Sequence, residues 1–510
     1  MNSFIGQHRH LRDTWARTAA GLLAGTACIV LSGTVHAFPA APPSVTYDVN
    51  TLEDLADADL YDSLCADANG HCSLRAAVQN ANYLANTVGG SSVLINLPGG
   101  TYTLTITGAD EIGGNTGDLN FANGTLHVLG SSDATNPTII EGGPSWDDRL
   151  IRTWGSTLTL ENLVLRGGNA NSTGGAIQAG DGTTLLLKSC RITGNAAVNS
   201  GGGVAAPGLG ISMTIESCRI DSNTTGGSGG GIYTTADVTV IRDSSVDGNS
   251  SADRGGGLFA YSSAPGPTSV INTTVSGNHA RSGGGVYALS PVGLYNVTVT
   301  ANVAAGATPS EAARGGGLYA AYSTTIRDSV LAGNSGGYTP TTTYVSSPDC
   351  DGSADITSGG YNLVGDDTSC GVFIQATGDL IGTAATPIDP VLGGLQDNGG
   401  ATPTHALLTG SPAIDAGDPN GCVDEAALAL STDQRGFSRP VDGNQDGGAV
   451  CDMGAFELAA AVTTASTSGG GGGGCSLGGD GRDAGLPLVL LALLAYRMLR
   501  RRRVARSSND

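Results

Sequence analysis

Lysine is almost missing from this chain: Lys188 is the only one among 24 basic residues, set against 45 acidic ones, for a formal net charge of −21. Nine of those 24 cations lie in residues 1–37 and 485–510, so the body between them is more acidic still. A partner bound by phosphate neutralisation is therefore excluded, and with it a nucleic-acid role. Aromatic residues make up only 5% and charged residues 14%, and the seven histidines are scattered. Apolar runs are short, and glycine, at 81 of 510 residues, is in large excess. No Gly-X-Y period runs through it, which excludes a collagen helix. With 39% apolar residues recurring at fixed intervals, a disordered chain is excluded as well.

Both ends read as addresses. Arg9, Arg12 and Arg17 precede the apolar residues 19–31, and Val35-His36-Ala37 is a small-residue cleavage site, so 1–37 forms a secretory signal with processing after Ala37. Cys28 offers a lipoprotein alternative, but Gly25 stands where leucine is preferred. At the other end a Gly/Ser-rich linker, 461–484, carries Cys475, and 485–510 holds an apolar helix followed by Arg497, Arg500 to Arg503 and Arg506. The unbroken apolar run, 486–496, spans about 17 Å at 1.5 Å per residue, so a membrane crossing requires extension past Arg497. This order resembles bacterial C-terminal sorting signals of the JDVT type, with relatives of the GlyGly and myxobacterial types. The resemblance implies a sorting protease acting near Cys475 and a membrane contact through the helix. It places the body at the cell surface or outer membrane of a Gram-negative-type bacterium, anchored or released after processing. A simple tail anchor is the competing reading.

Between 151 and 345 one phrase recurs: an aliphatic residue, two small or polar residues, then Asn195, Asn223, Asn249, Asn278, Asn302 and Asn334, at steps of 24 to 32 residues. A glycine phrase with the same period interleaves it, as in Gly229-Gly230-Gly231-Ile232. Two phrases sharing one period of about 28 mark a solenoid. Glycine triplets exclude helical repeats, at about 1 kcal/mol per glycine. Short β-branched segments such as Val238-Thr239-Val240-Ile241 predict three strands per coil of a right-handed parallel β-helix, an all-β fold. The aliphatic residues point inward and stack about 4.8 Å apart, and each asparagine sits at a turn in a left-handed backbone with its amide bonded to the next. The phrases resemble the repeats of bacterial polymorphic outer-membrane proteins, with Ile, Val or Leu in place of phenylalanine.

The segment 38–150 is read as an N-terminal cap with the first coils. Cys72-Ser73-Leu74-Arg75-Ala76 resembles the CSLREA motif of exported bacterial β-helix proteins, with Ala76 replacing its glutamate. Leu74, Val78, Ala81 and Ala85 share one helical face, predicting a short capping helix over the open first coil. In 346–460, Ser411-Pro412-Ala413-Ile414-Asp415, Asp433-Gln434-Arg435-Gly436 and Asp452-Met453-Gly454-Ala455-Phe456-Glu457 resemble the choice-of-anchor Q region, a loop-rich C-terminal cap.

Exported chains form disulfides. The candidates are Cys65 with Cys72, Cys350 with Cys370, Cys422 with Cys451, and Cys190 with Cys218, which occupy one slot in successive coils. Four sets of residues bear on chemistry. Asp147-Asp148 reads as a solvated turn. Arg191 and Arg219 stack, with Asp221 and Asp247 in neighbouring phrases, the arrangement a lyase-type site would need; a row of solvated charges explains them equally. Asp442, Asn444 and Asp446 alternate like the first half of a calcium loop, although position twelve is Met453; an Asx-rich turn is the alternative. Tyr233, Phe259, Tyr287 and Tyr319 each follow an inward aliphatic residue and so turn outward, a stripe able to stack on sugar rings unless another part of the chain covers it. The expectation is a surface-anchored adhesin-like or structural protein that binds a glycan or a cell surface, with calcium the one candidate cofactor. A polysaccharide-active enzyme of the pectate-lyase-like type is the alternative.

Overall fold

The computed structural model describes residues 44–108, 114–262, 266–306, 313–336 and 349–459. Ala37, Cys475 and the tail helix lie outside the described residues; among these, no helix is long and apolar enough to cross a membrane.

The repeat builds a right-handed parallel β-solenoid. One coil shows the construction. Val204–Ala206 and Ser212–Glu216 are followed by Arg219–Asp221 and Thr224–Thr225, and the glycine corner then leads to Ile232. Each segment pairs in parallel with its copy in the next coil: Val204 with Ile232, Met213 with Thr239, Ile220 with Val246 and Thr225 with Ser251. A coil thus has four short strands where three were predicted. The first two kinds join a 19-stranded sheet, the third a sheet of 11 and the fourth a sheet of seven. Inward columns such as Ile192, Ile220, Val246, Val275, Val299 and Leu331 are at most 1% exposed. Each such side chain contributes roughly 1.5–3 kcal/mol by its burial.

Two polar ladders hold the corners. Asn195, Asn223, Asn249, Asn278 and Asn302 each donate Nδ2–H to Oδ1 of the asparagine one coil on, at 2.9–3.0 Å. Asn334 ends the ladder on Asp349, at 3.0 Å. The left-handed residue is not the asparagine but the one before it: Gly194, Ser222, Gly248, Gly277, Ala301 and Gly333 have φ between 57° and 73°. That single reversal turns the following amide into the core, where the ladder satisfies it. The glycine corner has a different cause. Gly229 has φ 73°, and a Cβ on Gly230 would overlap the Gly256 carbonyl of the next coil.

The predicted helix, α1 (Leu74–Thr87), starts at Ser73, whose hydroxyl accepts from the Ala76 amide at 3.0 Å. Leu74, Val78, Ala81 and Leu84 enter the same core as Leu119, Phe121, Leu126 and Val128 and so plug the solenoid's first end. Downstream, Cys350–Gly352, Ile356–Ser358, Leu363–Val364, Phe373–Ile374 and Leu380–Ile381 continue the ladders, so the solenoid runs past position 345. The remaining chain to 459 is largely irregular apart from the hairpin Leu392–Gln396/Thr404–Leu407. It lies on the face of the 11-stranded sheet. Thr274 bonds to Gln434 at 2.6 Å, Ser276 to His405 at 2.8 Å, Thr298 Oγ1 to the Ala455 amide at 3.0 Å, and Arg327 to Asp418 at 2.6 Å. A second apolar cluster, including Val330, Leu363, Leu407, Met453 and Phe456, seals that contact.

Candidate functional site

The outward side chains of the 11-stranded sheet form two columns, because a three-residue strand turns its first and third residues away from the core. One column runs Val164, Arg191, Arg219, Ser245, Thr274; the other runs Arg166, Thr193, Asp221, Asp247, Ser276. The C-terminal region covers both from Thr274 and Ser276 onward. Before that point the face opens into a cleft of about 680 Å³. Its floor is Val164, Arg191 and Arg219. One wall is the loop 131–137, and the other is 395–397 with 400–403 from the C-terminal hairpin.

The floor is an ion-pair ladder. Arg191 grips Asp221 through Nε and Nη2, both at 2.9 Å, and Arg219 grips Asp247 through the same atoms at 3.2 and 2.8 Å. Arg219 Nε also lies 3.5 Å from Asp221, linking the pairs. The Asp221 and Asp247 side chains are sealed, at 4% and 7% exposed, whereas those of Arg191 and Arg219 are 47% and 33% exposed. The hydrogen bond to Asp221 raises the Arg191 pKa above its already high ordinary value. A guanidinium held this way is a fixed cation and a poor proton acceptor.

Asp133 and Asp397 stand on the cleft walls, whereas the lysine and the described histidines lie elsewhere. Lys188 pairs with Glu161 at 3.3 Å, and His127 lies 3.2 Å from the same carboxylate. His405 is buried where the hairpin docks, its Nδ1 bonded to the Gly393 carbonyl at 2.7 Å and its Nε2 to the Ser276 hydroxyl at 2.8 Å. Desolvation lowers its pKa, which disfavours the charged ring.

The aromatic stripe has the predicted register but a different surface. Tyr233, Phe259, Tyr287 and Tyr319 stack on one another, with centroids 5.2, 5.5 and 4.7 Å apart. Phe259 and Tyr287 are 6% and 7% exposed, and Arg254 lies over the Tyr287 ring. Outward direction alone does not expose a ring: coil spacing matches ring stacking, so the inner faces that would meet a sugar are spent on the neighbouring rings. The glycan-stacking assignment is corrected for Phe259 and Tyr287, whereas Tyr233 and Tyr319, at the two ends of the stack, stay half-buried.

Asp148 is also corrected. It is 2% exposed, and its Oδ2 accepts from the Asp118 amide at 3.2 Å; Asp118 in turn pairs with the buried Arg149 at 3.1 Å. Burial, then the nearby Asp148, raises the Asp118 carboxyl to about 7. Arg75 is fully buried and bridges Asp54 to the carbonyls of Gly114 and Gly117, so it anchors the cap.

The calcium-like residues bond to their own loop. Asp442 accepts from the amides of Asp446 and Gly447, Asn444 from that of Asp446, and Asp446 from that of Gly448. Met453 is buried in the second cluster, so position twelve supplies no oxygen, and the donor set fits an Asx-rich turn better than a calcium loop.

Cys65–Cys72, Cys350–Cys370 and Cys422–Cys451 are disulfides. Cys190 and Cys218 are not; both are buried thiols. They belong to the second polar ladder, in which the Cys190 amide donates to Cys218 Sγ, the Cys218 amide to Ser244 Oγ and the Ser244 amide to Thr273 Oγ1. Equivalent rotamers on successive coils separate the sulfurs by about one coil spacing, 4.8 Å, far beyond a 2.05 Å bond.

The cleft walls could not be read from the sequence. Loop 131–137 and hairpin 392–407 carry no repeat phrase, and the hairpin's approach to Arg191 is set by where the C-terminal region docks.

No protein-family model matches the chain, and no curated protein matches it. A crystal structure of pectate lyase Pel9A overlays with a TM-score of 0.39 and 13% identity, covering 81% of this chain and 96% of that chain. An overlay this loose carries no argument about activity.

Proposed function

We propose that this is an exported, surface-anchored scaffold that binds a glycan in the cleft above Arg191 and Arg219, without turning it over. The observation that carries this reading is the cleft itself. At about 680 Å³ it falls within the range of about 300–1,000 Å³ usual for small-ligand sites, and its lining sets polar groups from Arg191, Arg219 and Gln396 among apolar ones from Val164, Leu395 and Pro403. Its arginines are fixed as cations by buried carboxylates, which suits holding a ligand and not removing its protons. Three disulfides accord with an exported body, and the sorting-type tail supplies the anchor.

The test is a glycan array probed with the full chain and with Ala134→Trp and Ala401→Trp. Both positions are exposed, line the cleft and leave the ion pairs untouched. Binding that the two tryptophans abolish supports the site; binding that survives both places it elsewhere. Ultraviolet-absorbing product from a uronate polymer with calcium would replace this reading with the lyase one. Surface display unaffected by Cys475→Ala would remove the processing step from the proposal.

A further inference from the structure

We infer that the cleft selects an anionic polysaccharide segment, gripped through two acidic groups by the guanidiniums of Arg191 and Arg219. The inference rests on the glycan reading above and names the chemistry that the site selects.

The two arginines are register partners on adjacent coils, so their backbones stand about 4.8 Å apart along the axis. Val164 precedes them in the column and Ser245 follows, so the row is two cations long. Beneath it the carboxylates are already saturated. Asp221 also accepts from Thr193 at 2.9 Å, and Asp247 from Ser245 at 3.0 Å. Both ion pairs use Nε and Nη2, and Nη1 of each arginine is left for a ligand.

An arginine fixed by its own carboxylate has already lost its rotamer freedom, so a ligand does not have to order it. The planar guanidinium matches carboxylate and sulfate alike. In a chain of net charge −21, long-range attraction of an anion is weak. Selection therefore falls to direct contact at this row. Asp133 and Asp397 also line the cleft as exposed carboxylates, each bonded to its own turn, through Thr135 and Gly399 respectively. They oppose an anion that does not reach the floor.

Calorimetry with hexagalacturonate, its methyl ester, a sulfated heparin hexasaccharide and neutral cellohexaose tests this. The acidic probes are expected to bind at least tenfold tighter than the ester or the neutral oligomer. The heparin probe carries carboxylates and sulfates both, so tighter binding of hexagalacturonate assigns the grip to carboxylate and tighter binding of heparin assigns it to the added sulfates. Arg191→Gln and Arg219→Gln should each lose tenfold or more, and Asp397→Asn should gain. Because the arginine variants leave a buried carboxylate unpaired, Ala134→Trp and Ala401→Trp serve as variants that spare the ladder and should also lose acidic-probe binding. Ester and neutral oligomers binding as tightly as the acids would overturn the inference and leave the glycan reading intact. No binding by any probe or any array glycan would overturn both.

Discussion

Asn249 donates Nδ2–H to Asn278 Oδ1 at 3.0 Å, and the same Oδ1 accepts the Asn249 backbone N–H at 2.9 Å. One buried oxygen therefore satisfies two donors of the coil below, while Asn249 also reaches back to the Ile220 carbonyl at 2.8 Å. Removing a rung strands several buried polar groups at once. Asn278→Ala is expected to cost about 3 kcal/mol or more, since each stranded group costs about 1–3 kcal/mol. Urea unfolding of the variant checks this, and a loss under 1 kcal/mol would show that water replaces the rung.

The pH dependence of stability follows from buried acids. Asp452 and Asp118 are raised to about 7 and Asp328 and Asp349 to about 6, with desolvation the leading cause in each. Between about pH 4 and these values the folded state holds protons that the unfolded chain has released, so stability falls as pH rises through the window. His405 works the other way, since its lowered pKa means a loss of stability as pH falls below its ordinary 6.5. Four carboxyls outweigh one imidazole. The melting temperature is expected to be higher at pH 5 than at pH 8, and Asp452→Asn should flatten the slope.

Thiol chemistry separates the ladder cysteines from the disulfides. Cys190 and Cys218 should resist maleimide in the native protein and react on unfolding, because both thiols are buried out of the reagent's reach. Cys218→Ser should cost under about 1 kcal/mol, as Ser244 fills the next place in that ladder with the same bonding. Mass spectrometry finding a native Cys190–Cys218 crosslink would contradict the ladder.

Arg75→Met should destabilise the N-terminal cap by about 3–5 kcal/mol, because it leaves the Asp54 carboxylate buried without its cation. Hydrogen exchange should then rise first in α1 and at Gly114 and Gly117, whose carbonyls Arg75 holds. Uniform exchange across the solenoid would argue that the cap is not a separate unit.

Tyr287→Ala is expected to lower stability by roughly 3 kcal/mol through the lost packing of a buried ring and to leave glycan affinity unchanged. Loss of affinity without loss of stability would return the stripe to a binding role.

The sequence by itself determined the coil. A period near 28 carrying aliphatic, asparagine and glycine positions leaves few ways to bury one and satisfy the other, and α1 follows from its apolar face and the serine before it. The left-handed corner residue before each asparagine was misplaced by one, because both residue types tolerate that backbone and only the ladder shows which side chain must turn inward. Tertiary structure alone decided the rest. Whether Tyr287 is covered, whether Cys190 meets Cys218 and which arginines face solvent depend on rotamers and on the placement of the non-repeating 388–459 over one face. The contact of His405 with Ser276 spans 129 residues. A local pattern fixes which way a side chain leaves the strand, but what it then meets is set by packing between segments that share no periodicity.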